Sequence, residues 1–389
     1  RAGVYAHFGS PAEAAQNAQH ATSLAPKAAW ALLARAAVLD ELGKDAEALA
    51  DYDEACRLSP KSVSARLQRC FALVNHGKDR QGLDEAEDIL KNLDPTSLQG
   101  IIARAYARIR SRDIETVKAA VQDCTQAHQA APDHEDPLRE RSDAWHALAY
   151  LYEDQRKPAD GAPANTLEEQ AYSHATDDIK EAKERNERSP IVRVFEGSLF
   201  LSMGRGKERK KDTAAAEQYY KRAKEAFEEA KRRNPNYLFA LLSLAQAESL
   251  LGDNPGAFRT CEEARGKYPN RFDAYETIAN MEFGLAEKAF DANQALAAAD
   301  ERRRHLEKAR GQFEEARKRA ADSNAVRIGR RIRYVKLWED LFEATVLYFQ
   351  KDYSSSRRRL RQADQALEEF PQQKTWRDSL DRPLKRVGQ

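Results

Sequence analysis

One spacing recurs along this chain. An alanine is followed four residues later by Ala, Cys or an aromatic, three later by Ala, and five later by Pro. It stands as Ala14/Ala18/Ala21/Pro26, Ala48/Tyr52/Ala55/Pro60, Ala120/Cys124/Ala127/Pro132, Ala223/Phe227/Ala230/Pro235 and Ala257/Cys261/Ala264/Pro269. A further copy, Ala309/Phe313/Ala316, has Ala321 in the proline's place. Steps of four and three fall on one stripe of a helix. Small residues at two of the three positions admit a neighbouring helix closely, and the third fills the space between. The proline ends the helix, because it lacks an N–H and disfavours helical geometry just before it. An ordinary bundle has no reason to keep one spacing, so the pattern predicts units stacked in a row.

The prolines set the period. Pro26 to Pro60 and Pro235 to Pro269 are each 34 residues, and Pro60 to Pro95 is 35. Ahead of a stripe lies a second amphipathic helix, with Leu32, Ala36 and Leu39 before Gly43, and Leu241, Leu244 and Ala245 before Gly252. Glycine tolerates the left-handed stop of a helix. The unit is therefore helix, glycine turn, helix, proline stop. It resembles the tetratricopeptide repeat (TPR). Segments 29–62 and 238–271 match well; 63–96 matches loosely, with Cys70, Leu73 and Gly77 in register. The resemblance covers nearly the whole chain. It implies an all-α fold, a right-handed superhelical α-solenoid of helix–turn–helix repeats.

Solenoid repeats pack only on their neighbours, so a single elongated domain over 1–389 is expected. Its parts are a partial repeat 1–26, repeats 29–62, 63–96, 97–134, 135–190, 191–236, 238–271, 272–322 and 325–371, and a capping helix 372–389. Lys157–Thr166 reads as an irregular loop and Gly204–Thr213 as a basic insertion. Two elongated helices of repeat 272–322 are expected to join around Asp291–Gln294. Tyr5 holds a late-helix position of a first helix whose beginning is missing, and no initiating Met is present. The expectation is a fragment, with more repeats or another domain upstream.

The resemblance implies a partner site on the concave side, at positions two, five, nine, twelve and thirteen of each unit. These are Trp30, Leu33, Ala37, Asp40 and Glu41; Ser64, Leu67, Phe71, Val74 and Asn75; and Phe239, Leu242, Gln246, Ser249 and Leu250. Trp30, Leu33, Leu67, Phe71 and Val74 would form an apolar patch, and such patches mark contact surfaces. The matching ligand is an extended peptide or amphipathic helix with apolar anchors, from another protein or another domain of the same chain. The chain's own N-terminal segment and a second copy are alternatives, and the oligomeric state is open. In these three units no cation stands at positions five and nine, so gripping a chaperone's C-terminal carboxylate is not expected.

The net charge of +1 hides an asymmetry: residues 301–389 hold 23 Lys/Arg against 14 Asp/Glu. Arg302–Arg304, Arg327, Arg330, Arg331, Arg333 and Arg357–Arg359, including Arg358, form a basic surface near Tyr334, Trp338 and Tyr348. Such a surface suits nucleic acid or an acidic protein. It also suits a solvated face with pairs such as Arg310–Glu314 and Glu315–Arg319. A pI of about 7.8 argues against a dedicated nucleic-acid binder.

No HExxH, GxSxG or P-loop motif occurs, so no enzyme, catalytic residue or cofactor is expected. Gly204-Arg-Gly206 has no strand before it. Asp133–Asp136 with His128 and His146 sits at a repeat junction, where polar residues cap helices, and no metal site is expected. Cys56, Cys70, Cys124 and Cys261 contain no CxxC and read as free thiols at packing positions, which suits a cytoplasmic location. Residues 1–9 lack the apolar core of a signal peptide. The most apolar stretch, Tyr237–Gly252, is broken by Gln246 and Glu248, so no membrane span is expected. The expected function is a protein-interaction scaffold or adaptor. Binding of nucleic acid or an acidic partner at the arginine-rich end, and a structural spacer, are the alternatives.

Overall fold

The alanine stripes lie where solvent does not reach. Ala48, Ala55, Ala120, Cys124, Ala127, Ala223, Phe227, Ala230, Ala257, Cys261, Ala264, Ala309 and Ala316 have no exposed surface, and Tyr52 and Phe313 almost none. Only at the start is the stripe looser, with Ala21 half-buried. The computed structural model describes residues 11–154, 165–288, 299–320, 322–374 and 377–378. Among them there is no strand. Tyr5, Asp291–Gln294 and most of 157–166 and 372–389 lie outside the described residues; Asn165 and Thr166 begin a helix.

The chain forms two compact units, one up to Asn270 and one from Arg271. In the first, α1 (Pro11–Leu24) is followed by helix pairs. They are α2 (Ala29–Glu41) with α3 (Asp45–Leu58), α4 (Val63–Asn75) with α5 (Asp79–Asp88), and α6 (Leu98–Ile109) with α7 (Ile114–Ala130). Next come α8 (Glu135–Asp154) with α9 (Asn165–Arg185), α10 (Pro190–Arg209) with α11 (Thr213–Arg233), and α12 (Leu238–Leu250) with α13 (Asn254–Lys267). Each first helix also packs on the first helix of the next pair, from α2 on α4 through to α10 on α12. One face of this unit is thereby built of first helices. In the second unit α14 (Phe272–Lys288), α15 (Ala299–Arg319), α16 (Asp322–Phe349) and α17 (Tyr353–Glu369) pack in sequence.

One turn joins the helices of a pair in both units. Gly43, Gly77 and Gly252 have positive φ there, and so do Lys211 and Lys351. In each case the next residue donates its N–H five residues back: Lys44 to Leu39, Lys78 to Leu73, Asp212 to Lys207, Asp253 to Glu248 and Asp352 to Leu347. This is the Schellman stop of a helix. Asp212, Asp253 and Asp352 then cap the following helix by accepting from the N–H of Ala215, Gly256 and Ser355.

Departures from the repeat have local causes. The 35-residue step to Pro95 is absorbed by a π-helical turn, Ile89–Leu93, closed by Asp94 N–H to Ile89 O. Ala86 and Ile89 therefore stay in the stripe, without exposed surface. Gly204–Thr213, expected as an insertion, is mostly helix: α10 has 20 residues where α12 has 13. Buried ion pairs tie first to second helices in four successive repeats. Arg35 grips Asp51 at 2.6 Å, Arg66 Glu85 at 2.5 Å, Arg104 Asp123 at 2.7 Å and Arg141 Asp178 at 2.7 Å. Removing one partner of such a pair costs about 3–5 kcal/mol, so each fixes the register of its repeat.

Contact between helices is tightest where glycine stands. A Cβ on Gly197 would come within 2.5 Å of the Phe227 ring, which is fully buried, whereas at Gly311 in α15 nothing lies within 4 Å. Gly197→Ala should destabilise by about 1–3 kcal/mol. Gly311→Ala should stabilise by about 0.5–1 kcal/mol. Thermal unfolding of the two variants checks both signs.

Candidate functional site

The first-helix face of the first unit is less apolar than the sequence suggests. Trp30 is 63% and Phe239 50% exposed. Leu67, Val74 and Leu242 are buried. Leu33 packs on Ala36, Ala48, Tyr52 and Ala72, Phe71 packs with Leu67 and Leu90, and Gln246 is half-buried. The expected patch of Trp30, Leu33, Leu67, Phe71 and Val74 is thus not exposed as a whole. Consecutive first helices pack on one another, and that contact takes up positions five and twelve.

Polar and aromatic side chains fill the middle of this face. Counted from the start of α6, Tyr106 and Arg110 hold positions nine and thirteen; from the start of α8, Arg139, Asp143 and His146 hold five, nine and twelve. Phe71 meets Tyr106 edge-on at 5.6 Å, and the Tyr106 hydroxyl donates to Asn75 Oδ1 at 2.6 Å. Arg110 lies over the Tyr106 ring at 4.8 Å and donates to its hydroxyl at 3.0 Å. Arg139 donates to Asp136 at 2.6 Å and to Glu140 Oε1 at 3.0 Å, and lies 5.5 Å over the Phe195 ring of α10. His146 Nε2 pairs with Ser202 Oγ at 2.6 Å. Tyr237, at the head of α12, meets Phe239 edge-on at 6.1 Å.

Electrostatics joins these groups across repeats. Burial pushes the Tyr237 phenol up to about 12, and it feels Arg139 and Glu140 of α8, Tyr106 of α6 and Glu41 of α2. Burial raises the Glu140 carboxyl, against the pull of Arg139. Burial would also raise Asp143, but the bond with His146 and the fields of Arg110 and Arg139 outweigh it and hold it low. Arg110 is solvent-exposed; desolvation acts against its charge, but Tyr106, Asp143 and Glu140 outweigh it and hold the guanidinium above its usual range. The family positions quoted for units 29–62, 63–96 and 238–271 miss these residues. The same count taken from the observed helix starts, Leu98 and Glu135, finds Tyr106, Arg110, Arg139, Asp143 and His146.

The four cysteines form no disulfide; Cys70, Cys124 and Cys261 are buried and Cys56 is half-buried. Burial lifts the Cys70 and Cys261 thiols to about 12, which leaves them protonated at neutral pH. In the junction 128–146, Asp136 pairs with Arg139, His146 bonds Ser202, and His128 lies 3.7 Å from Glu181. Among the described residues, metal-ligand spacing occurs at Asp40, Asp45 and His76, whose ligand atoms fall within 4.8 Å of one another. His76 Nε2 lies 2.5 Å from Asp40 Oδ1 and 3.7 Å from Asp45. This contact joins the end of α2 to the residue that follows α4.

The arginine-rich end is largely matched by its own carboxylates. Arg327 makes a two-pronged pair with Glu276, and Arg333 one with Glu369 at 2.7 and 2.8 Å. Arg330 lies 3.3 Å from Glu369 and over the Phe370 ring, and Arg331 donates to Asn280 at 3.1 Å. Arg357 is half-buried and Arg358 exposed. Arg302, expected on the surface, is 2% exposed: its Nε donates to Ala286 O at 3.0 Å and it lies 4.6 Å over the Phe342 ring. Burial lowers its guanidinium to about 10.

No protein-family model matches the chain, and no curated protein matches it. Among solved structures, a tetratricopeptide repeat protein from Parabacteroides merdae is 14% identical over 79% of this chain and 98% of that one, with a TM-score of 0.46. A thermophilic TPR protein of Thermus thermophilus is 17% identical over 57% of this chain and 98% of that one, with a TM-score of 0.42. The human IFIT1 dimer with m7Gppp-AAAA is 15% identical over 65% and 67%, with a TM-score of 0.42. The chain's own helix pairs, turns and stripes define its fold. Within each unit it is an all-α, tetratricopeptide-like stack of helix–turn–helix repeats.

Phe71→Glu should bury a carboxylate between α4, α5 and α6. It should cost about 1–3 kcal/mol, read as a lower melting temperature of the helical circular-dichroism signal. Glu140 gives a pH dependence. A carboxyl raised above its usual 4.5 by folding binds more protons folded than unfolded, so its contribution to stability falls as pH rises through that window. Glu140→Gln removes this falling contribution. From about pH 4.5 upward, melting temperature should therefore climb more steeply, or drop less, in the variant than in the wild type.

Proposed function

We propose that the first unit is a protein-interaction scaffold whose partner, an extended segment of polypeptide, lies along its first-helix face. The observation that carries this reading is the cluster of Tyr106, Arg110, Arg139, Glu140 and Asp143. Two consecutive first helices, α6 and α8, supply it, with Tyr237 at the head of α12 electrostatically coupled to it. Guanidinium and carboxylate groups on a concave face offer donors and acceptors to a peptide, and the exposed rings of Trp30 and Phe239 offer apolar contact. Of Trp30, Leu33, Leu67, Phe71, Val74, Phe239, Leu242 and Gln246, the exposed and the fully buried members take different roles, with Leu33, Phe71 and Gln246 half-buried between them. Trp30 and Phe239 touch the partner, while Leu67, Val74 and Leu242 hold the helices that present it.

Nucleic-acid binding at the arginine-rich end is not favoured by the side-chain arrangement. A phosphate would have to take Arg327 from Glu276, and Arg330 and Arg333 from Glu369. A random peptide library selected on the immobilised chain tests the scaffold reading. Peptides should be enriched, and Tyr106→Ala or Arg139→Ala should weaken them about tenfold or more, as expected for loss of a charge-assisted or aromatic contact. A spacer would enrich nothing, and a partner elsewhere on the chain would leave both variants binding as the wild type does.

A further inference from the structure

The first-helix face holds an acceptor without a donor. Glu140 is 5% exposed; its Oε1 accepts from Arg139, and no hydrogen bond reaches its Oε2. Buried polar atoms in native proteins are nearly always paired, so such an atom needs a physical account. Glu140 lies beside the cluster: Arg139, which bonds its Oε1, sits over the Phe195 ring, and its charge is felt by Tyr106 of α6, by Arg110 just past α6 and by Tyr237 just ahead of α12. One helical turn further on, the side chain of Asp143 is 24% exposed, so solvent or a ligand can reach it.

The sign of the surroundings selects the missing donor. Asp136, Glu140 and Asp143 of α8 and Glu41 of α2 stand against Arg110 and Arg139. The excess is acidic, so an incoming anion would be repelled, and an apolar group would leave Oε2 unpaired. Rings are close by, and two of them already accept cations: Arg110 over Tyr106 and Arg139 over Phe195. The electron-rich ring of Phe239 is half exposed nearby in sequence to Tyr237 and in contact with it.

We propose that the polypeptide segment bound on this face carries a lysine or arginine whose head group seats at Asp143 and supplies the donor that Glu140 Oε2 lacks. The inference rests on the scaffold reading above and names the chemistry of its partner: a basic segment. Asp143 meets the cation first, because its side chain is partly exposed where that of Glu140 is buried. Glu140 follows by turning its second oxygen toward the cation while the first stays on Arg139.

Selection from a random peptide library on the wild-type chain, and separately on Glu140→Gln, Asp143→Asn and the double variant, tests it. The wild type should retain peptides with a lysine or arginine fixed at one position. Replacing that residue by glutamine in a synthetic peptide should weaken binding about tenfold or more, the effect of losing a charge-assisted bond. Selection on the double variant should lose the fixed basic position. Circular dichroism reports whether each variant is folded, and Asp143→Asn, at a partly exposed site, serves where the double variant is not. Peptides that depend on Tyr106 but carry no fixed basic residue would overturn the proposal and leave the scaffold reading standing. So would a basic preference that survives in Asp143→Asn and in the double variant. If no enriched peptide depends on Tyr106, both readings fall together.

Discussion

Close approach between helices is the constraint on which the rest of this structure depends. Most second helices present two small residues at an interval of seven, as at Ala48 and Ala55 or Ala223 and Ala230, and the neighbouring helices sit against them. Where glycine replaces a side chain the approach is closer still, with no room for a Cβ at Gly197 against Phe227 or at Gly204 against Tyr220. Interiors packed at this density resist changes across the contact. They accept changes along the helix axis. That is why α10, α15 and α16 lengthen, and why one surplus residue in α5 becomes a π-helical turn instead of displacing Ala86 and Ile89.

Much of this was legible because small residues at fixed spacing have few other uses. The stripes, the proline stops and the turns at Gly43, Gly77 and Gly252 could be read directly. The turns at Lys211 and Lys351 could not. The left-handed position is set there by the hydrogen bond that closes the helix, and lysine accepts the strain. The stripe of the fourth pair, Ala175, Ile179 and Ala182, is buried like the others, but Glu187 stands where its proline would be. The face was legible only in part. Which of its apolar residues stay exposed depends on how consecutive first helices cross. That contact buries Leu67, Val74 and Leu242 and leaves Trp30 and Phe239 outside.

Counting charges misleads where partners lie far apart in sequence. Residues 301–389 are basic by composition, yet Arg327 is held by Glu276 and Arg303 by Glu343, each more than a helix away. Exposed pairs of this kind contribute only about 0–1 kcal/mol, so they do not explain the stability of the second unit. Their consequence is electrostatic: the field of each paired guanidinium is weakened close to its source. Arg302 goes further and becomes part of the interior, stacked on Phe342.

The buried carboxylates of the first unit supply their own internal comparison. Asp51, Glu85, Asp123 and Asp178 each have both oxygens met by arginine, from Arg35, Arg66 with Arg69, Arg104 with Arg108, and Arg141. All four lie on second helices and face their own repeat. These four carboxylates, which serve packing within a repeat, are satisfied completely. Glu140 is as buried as they are, but it lies on a first helix and has one oxygen met. Local rules are broken in native proteins chiefly where function asks for it. The departure falls on the first-helix face, beside the partly exposed carboxylate of Asp143, and not inside a repeat. A group that the fold leaves half satisfied there gains most from a donor brought by something else.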